Sequence, residues 1–133
     1  MDAAIIRYRL ERSRETFKDA ETLLAGGSLN SAVNRAYYSM FYAVVALLKT
    51  KEFSSSKHSG VRAMFNRHFV KTGVVSKDIG KFYEKIFNER QEGDYIDYSE
   101  FTTAQVEDYI EKCRTHITEL WDIVNAIVDN EHP

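Results

Sequence analysis

Residues 28–48 read SLNSAVNRAYYSMFYAVVALL, a stretch that contains no glycine or proline and directly follows Gly26-Gly27. Its apolar side chains recur at steps of three and four residues, at Tyr38, Phe41, Tyr42, Val45 and Leu48. This spacing is typical of an α-helix, and here the apolar residues extend around most of the circumference. The stretch therefore predicts a central helix that is capped by Ser28 and buried on several sides.

Arg35 lies inside this predicted helix, one turn before Tyr38. A guanidinium group stays charged, so in a mostly buried helix it requires an acidic partner, carbonyl oxygens or a bound anion. Two interpretations stay open. Arg35 is either a phosphate-binding or catalytic arginine in a cleft, or one half of an ion pair with Asp or Glu on a neighbouring helix.

The remaining apolar patterns predict four further helices and no strand. The first covers about residues 2–25, the third about 57–72, the fourth about 76–92 and the last about 103–128. Glycines or polar residues separate these segments, and each apolar pattern has a helical period. The predicted fold class is therefore all-α: a five-helix up-and-down bundle with long first, second and fifth helices, forming a single domain over residues 1–133.

The last predicted helix carries a regular apolar stripe. Its members step alternately by four and three residues: Val106, Ile110, Cys113, Ile117, Leu120, Val124 and Ile127. A stripe of this kind suits either long antiparallel packing within a bundle or a helix–helix dimer. Cys113 is the only cysteine, so no internal disulfide can form, and its position on the stripe predicts a buried, unreactive thiol.

Charge is unevenly distributed along the chain, although the net charge is only −2. Residues 1–48 carry a net charge of +1, residues 49–90 of +6 and residues 91–133 of −9. A basic middle and an acidic end can attract a polyanion or let two copies or two partners dock head to tail. Alternatively, both are solvated helix faces that neutralise each other within the fold.

Several classes of protein are disfavoured by what the sequence lacks. It has no glycine-rich phosphate loop, no paired Cys or His at metal-binding spacing and no Ser/His/Asp elbow, so we predict no metal and no cofactor. No segment approaches the roughly 20 uncharged residues of a membrane span, and the N-terminus has no long apolar region. The expected setting is cytoplasmic, without a membrane.

His58 is a candidate functional residue because it lies in the first turn of the predicted third helix. The positive end of a helix dipole favours neutral imidazole, which suits a hydrogen-bond acceptor or a general base. The alternative is a histidine that only caps or packs a loop. Gly60, two residues later, is unfavourable in a helix and indicates close approach of another backbone or of a ligand.

Arg90 is the second inward-pointing arginine, because it extends the apolar stripe of the fourth helix. Asp94 and Tyr95 follow within five residues. Such a cluster is either a satisfied structural ion-pair network or one wall of a polar pocket. Two inward arginines, Arg35 and Arg90, in one small domain favour the pocket.

Three separated segments of the chain resemble the HEPN domain, in its small single-domain branch formerly catalogued as an uncharacterised family. They are residues 34–43 (NRAYYSMFYA), residues 58–60 (HSG) with 65–73 (FNRHFVKTG), and residues 90–95 (RQEGDY). The resemblance covers about residues 5–125. It implies a HEPN-type helical bundle that commonly dimerises and acts beside a minimal nucleotidyltransferase in toxin–antitoxin or related two-component systems.

The resemblance also implies a ribonuclease chemistry for many members of the family. In those proteins an Arg-x(4–6)-His motif supplies a cation for the phosphate and an imidazole for proton transfer, without a metal, and two motifs meet across a dimer. This chain departs from that pattern because the seven residues after Arg90 contain no histidine. Arg62 and His68 have the required spacing, but six residues on one helix rotate their side chains about 240° apart.

Three hypotheses follow for the function. The first is a homodimeric protein that acts with a minimal nucleotidyltransferase and binds a nucleotide or RNA phosphate in a polar cleft. The predicted ligand-binding residues are Arg35, Tyr38, His58, Arg90, Asp94 and Tyr95. The second hypothesis is an active metal-independent endoribonuclease toxin with His58 and Arg90 as candidate catalytic groups. The third is a non-catalytic interaction module.

Overall fold

The computed structural model describes residues 1–95 and 101–131, the side chains of residues 90–95 excepted. These residues form five α-helices and contain no strand: α1 (Ala3–Ala25), α2 (Leu29–Lys49), α3 (His58–Phe65), α4 (Lys77–Tyr95) and α5 (Thr103–Glu131). The prediction of an all-α fold with long first, second and fifth helices is confirmed. In the described part of the chain, no helix has both the length and the apolar character needed to cross a membrane.

Helix α2 lies at the centre and contacts each of the other four helices. The residues that it buries completely include Ala36, Tyr37, Met40, Val44 and Leu47. Four of the five positions that the apolar spacing emphasised are only half-buried: Tyr38, Phe41, Tyr42 and Val45. The difference arises because alanines on the buried side let neighbouring helices approach closely, while the larger rings lie at the margin of the core.

The helix ends follow local chemistry. Gly27 has a φ of 80°, and beyond it the N–H of Ser28 donates to the Leu23 carbonyl oxygen (2.9 Å), which closes α1. Ser28 precedes α2 as predicted, but its side chain makes no capping hydrogen bond. At α5 the N–H of Gln105 donates to the Thr102 hydroxyl (3.1 Å), and the N–H of Thr102 donates to the Gln105 side-chain oxygen (2.9 Å). This reciprocal pair is a capping box.

The third helix differs from the continuous helix that was predicted. It is α-helical over His58–Phe65 and continues as a π-helical turn over Asn66–Val70. Gly80 of α4 accommodates this turn, since a Cβ atom there would lie 2.8 Å from Cγ1 of Val70. The apolar spacing is compatible with either winding, so the sequence does not distinguish them.

Helix α4 extends to Tyr95 and passes through Gly93, where the sequence suggested that it would end near residue 92. Glycine weakens a helix interior by about 1 kcal/mol relative to alanine but does not by itself terminate it. The helix is therefore described to a point three residues beyond the predicted end.

The apolar stripe of α5 faces the interior of the bundle. Its fully buried members are Val106, Ile110, Cys113, Ile117, Leu120, Val124 and Val128. Only the last position differs from the predicted stripe, because Val128 is buried and Ile127 is half-buried. Of the two uses left open, the stripe therefore serves packing within the chain and is not a surface for a helix–helix dimer.

A buried polar relay joins three helices at Ser13, which is inaccessible to solvent. The Trp121 indole N–H of α5 donates to the Ser13 hydroxyl oxygen of α1 (2.8 Å). That hydroxyl in turn donates to the backbone carbonyl oxygen of Ser39 in α2 (2.7 Å). The buried hydroxyl of Ser13 thus both accepts and donates a hydrogen bond.

Candidate functional site

His58 anchors a cluster of aromatic side chains where α3 begins against α2. Its ring stacks on Phe41, with centroids 4.1 Å apart and planes inclined by 11°. Its Nδ1 lies 3.0 Å from the hydroxyl oxygen of Tyr37, a residue that is only 1% exposed. Two contacts from α2 therefore hold the imidazole, one to its face and one to a ring nitrogen.

Arg35 adjoins this cluster through Tyr38. Its guanidinium carbon lies 5.0 Å from the Tyr38 ring centroid, and the same ring meets His58 edge-on at 5.8 Å. The Arg35 Nη2 donates to the side-chain oxygen of Asn34 (3.0 Å). Among the described residues, no carboxylate forms an ion pair with Arg35, which is half-buried. The structure thus places a partly desolvated cation and an imidazole on either side of one tyrosine ring.

The structure brings together three of the six predicted ligand-binding residues: Arg35, Tyr38 and His58. The other three, Arg90, Asp94 and Tyr95, lie on the last turns of α4, and their side chains are outside the described part of the chain. Their roles therefore stay predictions. Helix α4 itself reaches the cluster, because the Tyr83 ring stacks on Tyr37 with centroids 6.3 Å apart.

Tyr37 and Phe41 are site residues that the sequence analysis did not single out. Tyr37 lies four residues and Tyr38 three residues before Phe41, so both are its neighbours on α2, with ring centroids 6.3 and 6.1 Å away. The signal was present in the aromatic pair Tyr37-Tyr38, whose members must point in different directions on a helix. Only the position of α3 shows which of the two tyrosines reaches the imidazole nitrogen.

Gly60 has an explanation within the chain. A Cβ atom at this position would collide with the Ser55 side chain of the preceding loop, whose hydroxyl oxygen accepts the Lys57 N–H (3.2 Å). The expectation of close approach at Gly60 is met by a serine side chain, and not by the backbone or ligand that was predicted. The Ser55 side chain therefore packs against the first turn of α3, which also contains His58.

Arg62 and His68 do not form a site despite their spacing. Arg62 pairs with Glu84 of α4 at 2.7 Å, whereas the His68 ring stacks on Phe53 with centroids 4.2 Å apart. The two side chains occupy different surroundings. This agrees with the divergence expected from helical rotation.

The basic middle of the chain forms two ion pairs within itself among the described residues, Arg62 with Glu84 and Lys85 with Glu89. Within the described residues, no ion pair joins residues 49–89 to the acidic residues 101–131. Lys71, Lys77 and Lys81 are exposed. Of the interpretations left open, mutual neutralisation by direct pairing is not observed in this part of the structure, and the exposed lysines present positive charge to solvent.

Burial raises the pKa values of two acidic groups that lie outside the cluster. Burial raises the pKa of the Cys113 thiol far above its ordinary value, and the Glu89 carboxylate adds to the effect. Burial also raises the pKa of the Tyr109 phenol. Cys113 is thus protonated and inaccessible, as the sequence predicted. In the described residues, no three His, Cys, Asp or Glu side chains are grouped as a metal site would require.

Comparison with known proteins identifies the family. The model of the HEPN domain matches residues 6–126. A UPF0332 protein of Thermotoga maritima is 54% identical over 81% of this chain and 82% of its own length. "Putative toxin MJ0142" of Methanocaldococcus jannaschii is 40% identical over 65% of this chain and 58% of its own, and "Putative toxin MJ0605" of the same organism is 36% identical over 68% and 67%. The chain therefore belongs to the HEPN domain family.

Proposed function

We propose that this chain is a toxin–antitoxin-type HEPN protein that binds the phosphate of a nucleotide or RNA at the cluster of Arg35, Tyr38 and His58. The observation that carries the proposal is Arg35, a half-buried cation without a carboxylate partner among the described residues. A guanidinium group in this state is suited to an anionic ligand, because desolvation strengthens its interaction with phosphate oxygens.

The surroundings of Arg35 support an anion in this position. Stacking over Tyr38 restricts the guanidinium, so less conformational entropy is lost when a ligand binds. The N-terminus of α3, where His58 lies, contributes a partial positive charge. The exposed lysines of the basic middle add long-range attraction for a polyanion such as RNA.

The toxin–antitoxin role rests on the relatives. Two of them carry the word toxin in their names. Action with a minimal nucleotidyltransferase is part of the proposal, on the strength of the family resemblance, and so is a homodimer. A small nucleotidyltransferase gene beside this one, and co-purification of the two products, would support the partnership. Sedimentation velocity at micromolar concentration tests the dimer.

A metal-independent endoribonuclease is the second candidate, favoured by the contact of both Arg35 and His58 with one ring. RNA supplies its own 2′-hydroxyl nucleophile, so an imidazole for proton transfer and a cation for the developing charge suffice chemically. Binding is the preferred proposal because no histidine follows Arg90 at the spacing that active members of the family use.

One experiment tests both candidates. A 5′-labelled RNA of random sequence is titrated with the parent protein and with Arg35→Gln, and binding is followed by fluorescence anisotropy in EDTA. Loss of a charge-assisted contact to phosphate should weaken binding about tenfold or more. Arg7→Gln is the matched control, since Arg7 lies in the first turns of α1 and pairs with Asp129 of α5 (3.5 Å).

The same samples, with His58→Gln and Arg90→Ala added, are run on denaturing gels. Cleavage by the parent that both of these variants lose would establish the endoribonuclease. Binding without cleavage supports the preferred proposal. If Arg35→Gln binds the RNA as tightly as the parent and Arg7→Gln do, or if the parent binds no RNA, the phosphate site is refuted and the interaction module takes its place.

A further inference from the structure

Tyr37 is the buried residue through which α2 controls the state of His58. Its ring is nearly parallel to those of Tyr83 and His58, with centroids 6.3 and 6.0 Å away and planes inclined by 11° and 12°. Its hydroxyl oxygen lies 3.0 Å from Nδ1 of His58. With 1% of Tyr37 exposed, bulk water has little access to compete for this contact.

The chemistry of the two groups decides which one donates. A phenol, with an ordinary pKa of about 10, is a good donor, and a neutral imidazole nitrogen, with a conjugate acid of pKa about 6.5, is the stronger acceptor. The favoured arrangement is therefore Tyr37 O–H donating to Nδ1. In neutral imidazole the ring proton then lies on Nε2, since the bond made by one nitrogen sets the state of the other.

We infer that Tyr37 is a positioning residue that holds neutral His58 as the Nε2–H tautomer, so that His58 acts as a hydrogen-bond donor toward phosphate oxygens. The inference rests on the proposed function for the phosphate ligand, while the tautomer follows from the contact between Tyr37 and His58 and from the relative acidity of the two groups. The tautomer also bears on the second candidate function. A general base at Nε2 would need the opposite tautomer, with Nδ1–H donating to the Tyr37 oxygen.

The Phe41 ring supports the same role. It stacks on His58 at 4.1 Å and restricts rotation of the imidazole out of the plane that Tyr37 requires. A ring flip that exchanged Nδ1 for Cδ2 at the Tyr37 hydroxyl would lose the hydrogen bond inside a closely packed cluster. Position and tautomer are thus set by two residues one turn apart on α2.

Nitrogen-15 NMR of the histidine rings tests the inference directly, through long-range correlations that distinguish a protonated from an unprotonated ring nitrogen. At a pH where His58 is neutral, the parent should show an unprotonated Nδ1 and a protonated Nε2. Tyr37→Phe retains the ring packing and should raise the Nδ1–H population severalfold. Tyr8→Phe, at a 59% exposed tyrosine, is the matched control, and the His68 resonances serve as an internal one.

Two results would overturn the inference: a protonated Nδ1 in the parent, or unchanged tautomer populations in a folded Tyr37→Phe. If that variant does not fold, the spectrum of the parent still decides. The readout is separate from ligand binding. A protein that binds no RNA but shows the Nε2–H tautomer refutes the proposed function and leaves the role of Tyr37 intact.

Discussion

Replacing Ser13 by alanine should destabilise the fold more than an ordinary serine substitution. The change removes the hydroxyl that accepts from the Trp121 indole and donates to the Ser39 carbonyl, at 2.8 and 2.7 Å. An unsatisfied buried donor costs about 1–3 kcal/mol. Because Trp121 is half-buried, water can reach part of the indole, so we expect a loss of about 2 kcal/mol, or roughly 6–12 °C in melting temperature.

Urea unfolding measures this loss, and Trp121 is a convenient probe because it is the only tryptophan in the chain. The control is Ser31→Ala, at an exposed serine of α2, which should change stability by less than about 0.5 kcal/mol. In a double-mutant cycle followed by circular dichroism, which does not require the tryptophan, Ser13→Ala and Trp121→Phe should be coupled by about 1 kcal/mol. Equal stability of Ser13→Ala and Ser31→Ala would refute the idea that the relay holds the three helices together.

Three further predictions concern α5. The raised pKa of Cys113 keeps its thiol protonated in the folded state, whereas the thiol of the unfolded chain ionises above about pH 8.5. The free energy of unfolding should therefore fall by about 1.4 kcal/mol per pH unit between about pH 8.5 and 10, relative to Cys113→Ala in parallel urea titrations. A parent and variant with parallel pH profiles would contradict this. Thr102→Ala should cost about 1 kcal/mol through loss of the capping box, with Thr118→Ala as an exposed control. Leu120→Ala should lower the free energy of unfolding by about 3 kcal/mol in the same assay, since the Leu120 side chain is inaccessible to solvent. A loss below about 1 kcal/mol would argue against an α5 stripe that packs within the chain.

The number, order and approximate bounds of the helices could be predicted from the sequence, because they depend on apolar periodicity and on the residues that begin and end each helix. The glycines after Ala25 and the Thr102 cap act within a few residues of themselves, and the α5 stripe has one buried side wherever it packs. The π-helical turn at Asn66–Val70 could not be predicted. The turn packs against Gly80 of another helix, and no local pattern encodes such a tertiary contact.

The candidate site was predictable only in part, for a similar reason. Arg35 and His58 stand out because a charge in an apolar helix and an imidazole at a helix start need explanation wherever they occur. Tyr37 and Tyr38 are equivalent as sequence, and only the packing of α3 against α2 separates the buried hydrogen-bonding tyrosine from the one that stacks beneath Arg35. Which side chain faces which neighbour depends on how the helices pack, and the sequence pattern of one helix does not determine it.

The most direct test of the central claim is an NMR titration of the folded protein with adenosine monophosphate, in which the side-chain signals of the candidate site are followed. If the cluster binds phosphate, the Arg35 Nε–H and the His58 ring should shift together and saturably, while Arg7 stays in place. Inorganic phosphate should reproduce part of the shift. Saturable shifts confined to other regions, or none at millimolar nucleotide, would contradict a phosphate site at Arg35 and His58.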